Sequence, residues 1–173
     1  MILRTSPETL AGGYLGHRES SRVEWLRFTN RFAAAVFVHR TVAAAVPERG
    51  EFEDESVRIA ARAAIGAATA ALERFMNETV GALTGGLAQQ VELLLAATEC
   101  SRAQRVEIVE LRARVVSRRT AVTHSTEKLD LSADGIEQAL RDVGALALML
   151  GALVEPDEQQ RVTDLMTGWF VDL

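Results

Sequence analysis

Apolar residues recur at helical spacing along almost the whole chain. From Ser20 to Val46, Trp25, Phe28, Phe32, Val36 and His39 fall every three or four residues and predict a helix with one apolar stripe, ended by Pro47 to Gly50. The acidic group Glu51, Glu53, Asp54 and Glu55 suits a helix N-terminus. It precedes a stripe of Val57, Ala61, Ala64, Ala68, Leu72 and Phe75, in a helix expected to run to about Leu83. Gly85-Gly86 breaks the chain before a third stripe of Leu87, Val91, Leu94, Leu95 and Thr98. Nothing between Leu87 and His124 strongly breaks a helix, yet one rod of that length would be roughly 57 Å long, too long for a compact domain. A break is therefore expected near Cys100 to Gln104. Beyond it, Val106, Val109, Ala113 and Val116 predict one apolar side, and Glu110, Arg114 and Arg118 lie four apart on another. Ser125 to Leu131 reads as a polar loop. Ser132 can cap a helix to about Val154, with Leu131 and Ile136 stapled across its first turn. After Pro156, Val162, Leu165, Met166, Trp169 and Phe170 predict a short closing helix. The expected fold is all-α, a single bundle of five or six helices over residues 19–173. The glycine-rich residues 1–18 are expected to be a flexible or loosely docked arm.

Composition narrows the class without naming a function. The 173 residues suffice for one well-filled core. They are 48% hydrophobic but only 5% aromatic, so Ala, Leu and Val must build that core. A net charge of −5 argues against a protein that coats nucleic acid unspecifically, while leaving room for a local basic patch. The single Cys100 excludes an intramolecular disulfide framework and reads as a small buried hydrophobe, consistent with a reducing cytoplasm. Met1 to Gly16 lacks the charged and apolar segments of a secretory signal, and the longest apolar run, Val143 to Val154, is too short to span a bilayer. A cytoplasmic protein with no membrane partner is expected. Eighteen arginines beside one lysine, Lys128, point to a GC-rich bacterial genome.

The candidate chemistry lies in Arg118-Arg119-Thr120-Ala121-Val122-Thr123-His124. Cleaving RNA without a metal requires a group that moves protons near neutral pH and a fixed cation that holds phosphate, and His and Arg are the natural pair. Spacing alone carries little, since about one arginine and histidine separated by four to six residues is expected by chance in this composition. Context adds to it. The segment from Ile108-Val109-Glu110-Leu111 to His124, followed by a polar loop and the helix Ser132 to Leu153, resembles the arginine-and-histidine helix and closing helix of the HEPN superfamily. These are helical-bundle domains of bacterial toxins, CRISPR effectors and phage-defence proteins. Ala70-Ala71-Leu72-Glu73-Arg74-Phe75 is similar to the family's earlier alanine-rich helix with a glutamate.

The resemblance implies an endoribonuclease that needs no metal or other cofactor, with Arg119 and His124 as the catalytic pair. Arg118 is then the alternative arginine, and Thr120 stands where a polar residue, often Asn, follows the arginine. Thr retains a hydroxyl and loses the amide. Glu73 either orients a side chain of the arginine-and-histidine segment from a second helix or merely pairs with an arginine, and Arg112 and Arg114 are candidate RNA contacts. Residues five apart lie about 140° apart around a helix, so Arg119 and His124 of one chain diverge. The resemblance implies a homodimer in which Arg119 of one copy meets His124 of the other, and a partner such as an antitoxin or a nucleotidyltransferase that restrains the activity.

Simpler readings stand beside these. His124 also suits a helix end, where an imidazole interacts with the last carbonyls. The segment holding Arg102, Arg105, Arg112, Arg114, Arg118 and Arg119 also fits a solvated face paired with acidic neighbours. It lacks aromatics for stacking bases, so any RNA contact there would be made through phosphates. His39 reads as a core histidine. A di-iron or di-manganese carboxylate bundle requires Glu three residues before His, but Tyr14, Val36 and Ala121 occupy those positions. Gly12-Gly13 and Gly85-Gly86 lack the spacing and the Lys of a nucleotide-binding loop, and no Ser or Cys has a recognisable activating partner. The alternative to a nuclease is a non-catalytic helical interaction or regulatory module, a degenerate relative serving as scaffold or antitoxin-like partner.

Overall fold

A run of Ala from Ala60 to Ala71, with the highest helix propensity and the smallest side chain, makes the second helix both intrinsically stable and thin enough for neighbours to approach. In the computed structural model, which describes residues 27–37, 41, 55–80, 86–124 and 133–154, this helix spans Glu55–Val80. It is here termed α2, and α1 denotes the helical residues 27–37, with Thr41 helical as well. The remaining elements are α3 (Leu87–Ala97), α4 (Arg102–His124) and α5 (Ala133–Val154). The described residues form five helices and no strand, an all-helical arrangement. No helix among them is long and apolar enough to cross a membrane. Residues 1–18, the Ser125 to Leu131 loop, the Ser132 cap, His39 and the closing helix after Pro156 lie outside the described residues.

One continuous apolar core joins the five elements. Phe28, Phe32 and Val36 of α1 meet Ala61, Ala68, Leu72 and Phe75 of α2 in it, beside Leu87, Val91, Leu94 and Leu95 of α3. From α5 come Ile136, Leu140, Val143, Leu146 and Leu150. These positions repeat every three or four residues, the period at which one helical face meets its neighbours. The helix α4 touches α2, α3 and α5, and α2 also contacts α3 and α5. Gly86, in extended backbone, starts α3 with its carbonyl accepting from the amides of Gln89 and Gln90.

The break before α4 falls at residues 98–101, at the front of the expected interval, because Ser101 and Gln104 form a capping box. The amide of Ser101 donates to Oε1 of Gln104 at 3.0 Å, and the amide of Gln104 donates to Oγ of Ser101 at 3.2 Å, satisfying two donors that a helix start leaves free.

The apolar side of α4 requires correction. Val106 is 51% exposed, Ala113 is exposed and Val109 and Val116 are only half-buried, whereas Ile108, Leu111, Val115 and Ala121 are buried. The helix touches three neighbours at once, and those contacts select the side that carries the bulkier Ile108 and Leu111.

Gly66 sits within α2 facing α4, and a Cβ built on it would lie 3.8 Å from Cγ1 of Val122, an ordinary contact. Gly66→Ala is therefore expected to stabilise the protein by about 0.5–1 kcal/mol, through backbone entropy lost by the unfolded chain. Urea denaturation measures this, and a lower midpoint would contradict the spacing of α2 and α4.

Candidate functional site

The Arg118 to His124 segment forms the last two turns of α4, where helix geometry sends neighbouring side chains in different directions. Arg119 points toward α2, with its Nε 2.9 Å from Oε1 of Glu73. The nitrogen approaches off the N–H axis, so this is a charge contact rather than a hydrogen bond, and Oε1 stays buried without a donor. Glu73 is mostly enclosed, at 18% side-chain exposure, while Arg119 remains 48% exposed. A guanidinium held at one nitrogen and open elsewhere keeps donors for a further anion.

Arg118 turns the other way and donates from Nη1 to Oδ2 of Asp142 on α5. Arg114, one turn earlier, donates from Nε to the same oxygen at 3.1 Å, and Gln138 donates to Oδ1 at 3.0 Å. Asp142 is thus a buried carboxylate with both oxygens occupied. Burial alone would push its pKa up. Hydrogen bonds from Arg118, Arg114 and Gln138, together with the charge of Arg118, outweigh burial and hold it below the ordinary aspartate value.

Asp142 therefore contributes stability above the pKa of an unfolded aspartate, about 4, and that contribution is lost as pH falls through the lower folded value. The stability difference between wild type and Asp142→Asn is expected to be constant above about pH 5 and to close on acidification below about pH 4. Urea denaturation across that range checks it, and a constant difference down to pH 2 would contradict the pairing.

His124 is exposed at the C-terminal end of α4. Thr120, one turn before it and on the same side, is exposed too, but its hydroxyl donates to the carbonyl of Val116 at 3.0 Å, which leaves only lone pairs to face outward. Arg112 reaches α3, where Nη1 meets the carboxylate of Glu92 and, at 3.3 Å, the carbonyl of Ala88. Arg105 donates to the carbonyl of Leu95 at 2.6 Å.

The fold thus brings Glu73 to Arg119, directs Arg112 to α3 and Arg114 and Arg118 to α5, and leaves Arg119 and His124 on different sides of one helix. It adds Asp142, a residue absent from the sequence-derived set. The available signal was a lone acidic residue one turn from Ala139 and Leu146 on an apolar stripe, opposite arginines spaced four apart. Among the described residues, no three His, Cys, Asp or Glu side chains gather as a metal-binding group. No family model, curated protein or solved structure matches the chain significantly.

Proposed function

We propose that this chain is a HEPN-like, metal-independent endoribonuclease of a bacterial toxin–antitoxin or phage-defence system. The observation that carries the proposal is the contact of Glu73 with Arg119. The resemblance lies in α2 and in α4 independently, and this contact joins Glu73 of the one to Arg119 of the other. Such a contact fixes the direction of an arginine that keeps nearly half its side chain exposed.

In the reaction, the RNA 2′-hydroxyl loses its proton and its oxygen attacks the adjacent phosphorus. The bond to the 5′-oxygen breaks, and that oxygen takes up a proton. His124 moves one of these protons, and Arg119 holds the phosphate and stabilises the charge growing on its oxygens. The products carry a 2′,3′-cyclic phosphate and a 5′-hydroxyl.

Arg119 and His124 diverge by about 140° around α4, so the site is completed by a second copy that lends His124 across a two-fold axis. Arg114, half-exposed beyond its bonded Nε, offers a further phosphate contact, and Arg112, tied to Glu92, a weaker one. The test is end-group analysis of labelled RNA incubated with the full chain in excess EDTA. Cyclic phosphate ends are expected, and RNA left intact over a wide range of protein concentration would overturn the proposal.

One observation favours the second reading, a non-catalytic interaction module. Arg105, Arg112, Arg114, Arg118 and Arg119 each direct a guanidinium nitrogen at a carbonyl or carboxylate of the same chain, as a structural helix face would. Intact RNA in the same assay is the outcome that reading requires.

A further inference from the structure

Arg118 and Arg119 are adjacent, and both fit the spacing to His124. The structure separates them by the acid each one meets. We infer that Asp142 is a positioning residue that withdraws Arg118 from the RNA-facing surface and leaves Arg119 as the arginine that holds phosphate. This inference rests on the nuclease reading given above.

The carboxylate of Asp142 is 5% exposed and bridges α4 to α5 through Arg118 and Arg114, with Gln138 closing its second oxygen. A buried carboxylate stripped of its arginines would be an uncompensated charge, so the fold holds Arg118 against it. Arg118 is left 26% exposed, against 48% for Arg119. Arg114 and Arg118 four apart on α4 form a two-pronged attachment, and two anchor points on one face fix the rotation of the helix about its axis. With that rotation fixed, Arg119, about 100° further round, is directed at Glu73 on α2. Asp142 also offsets one of the two positive charges beside it, so the unspecific pull of this face on RNA is weaker than its arginine content suggests.

Binding of a 2′-O-methyl uridine 20-mer, which cannot be cleaved, is to be measured against salt concentration for wild type and variants, alongside cleavage of ordinary RNA. Each arginine that meets a phosphate contributes about 0.7 to the slope of log affinity against log salt on a single strand. Arg119→Gln is expected to flatten the slope by about 0.7, and Arg118→Gln to leave it unchanged. Asp142→Asn is expected to steepen it by at least about 0.7, as a released arginine finds phosphate, while cleavage of bound RNA slows. A merely structural Asp142 would not steepen the slope.

If Asp142→Asn does not fold, the comparison of Arg118→Gln with Arg119→Gln decides alone. Equal flattening by the two glutamine variants, or an unchanged slope in folded Asp142→Asn, overturns the inference even where wild type cleaves RNA. Wild type that neither binds nor cleaves RNA defeats the nuclease reading, and this inference with it.

Discussion

Replacing His124 with Ala is expected to slow RNA cleavage by about 10²- to 10⁴-fold, the range for loss of a positioned general acid or base. The same change should leave stability within about 0.5 kcal/mol of wild type, because the imidazole is exposed at a helix end and little packing is lost. The size of one effect against the smallness of the other separates chemistry from folding. Single-turnover cleavage read beside thermal unfolding makes the comparison. Activity retained within tenfold would remove His124 from the reaction, and a fall in unfolding midpoint matching the fall in activity would make its role structural.

Phe75→Ala is expected to destabilise the protein by about 3–5 kcal/mol, a large fraction of the 5–15 kcal/mol that holds a typical domain together. Phe75 is 2% exposed, and its ring lies 5.9 Å from that of Phe28, which stacks on Phe32 at 5.6 Å. These rings bring α1 against α2. On α2 the position one turn before Phe75 is Ala71, too small to fill a missing ring, so part of the cavity would stay open. Aromatics make up only 5% of the chain, so few rings are at hand to replace this one. Urea denaturation measures the loss, and a change below about 1 kcal/mol would show that α1 is held by something other than this cluster.

The stripes of α1, α2 and α3 were legible because most of the bulky apolar residues of each helix fall on one side, with Phe37, Ile59 and Leu93 as the exposed exceptions. For α2 the expected Ala61, Ala64, Ala68, Leu72 and Phe75 are all buried. The side of α4 was not legible. Its valines and alanines lie all round the helix, and the choice of face was made by contacts with three neighbours that no local period records. The capping box of Ser101 and Gln104 was present in the sequence as a spacing and sets where α4 begins.

At the site, Arg119 and Glu73 could each be named from the chain, but their contact depends on how α2 and α4 are packed together. Asp142 stood within an apolar helix without a repeated pattern around it, and its meaning comes from the two arginines that face it on α4.

The central claim is that Arg119 and His124 cleave RNA without a metal. Its most direct test is the rate at which labelled total RNA is cut in excess EDTA by wild type and by the Arg119→Ala/His124→Ala double variant, at matched folding and oligomeric state. The account predicts fragments ending in 2′,3′-cyclic phosphate from wild type and none above background from the variant. Equal cutting by the two proteins, or intact RNA with both, would contradict it.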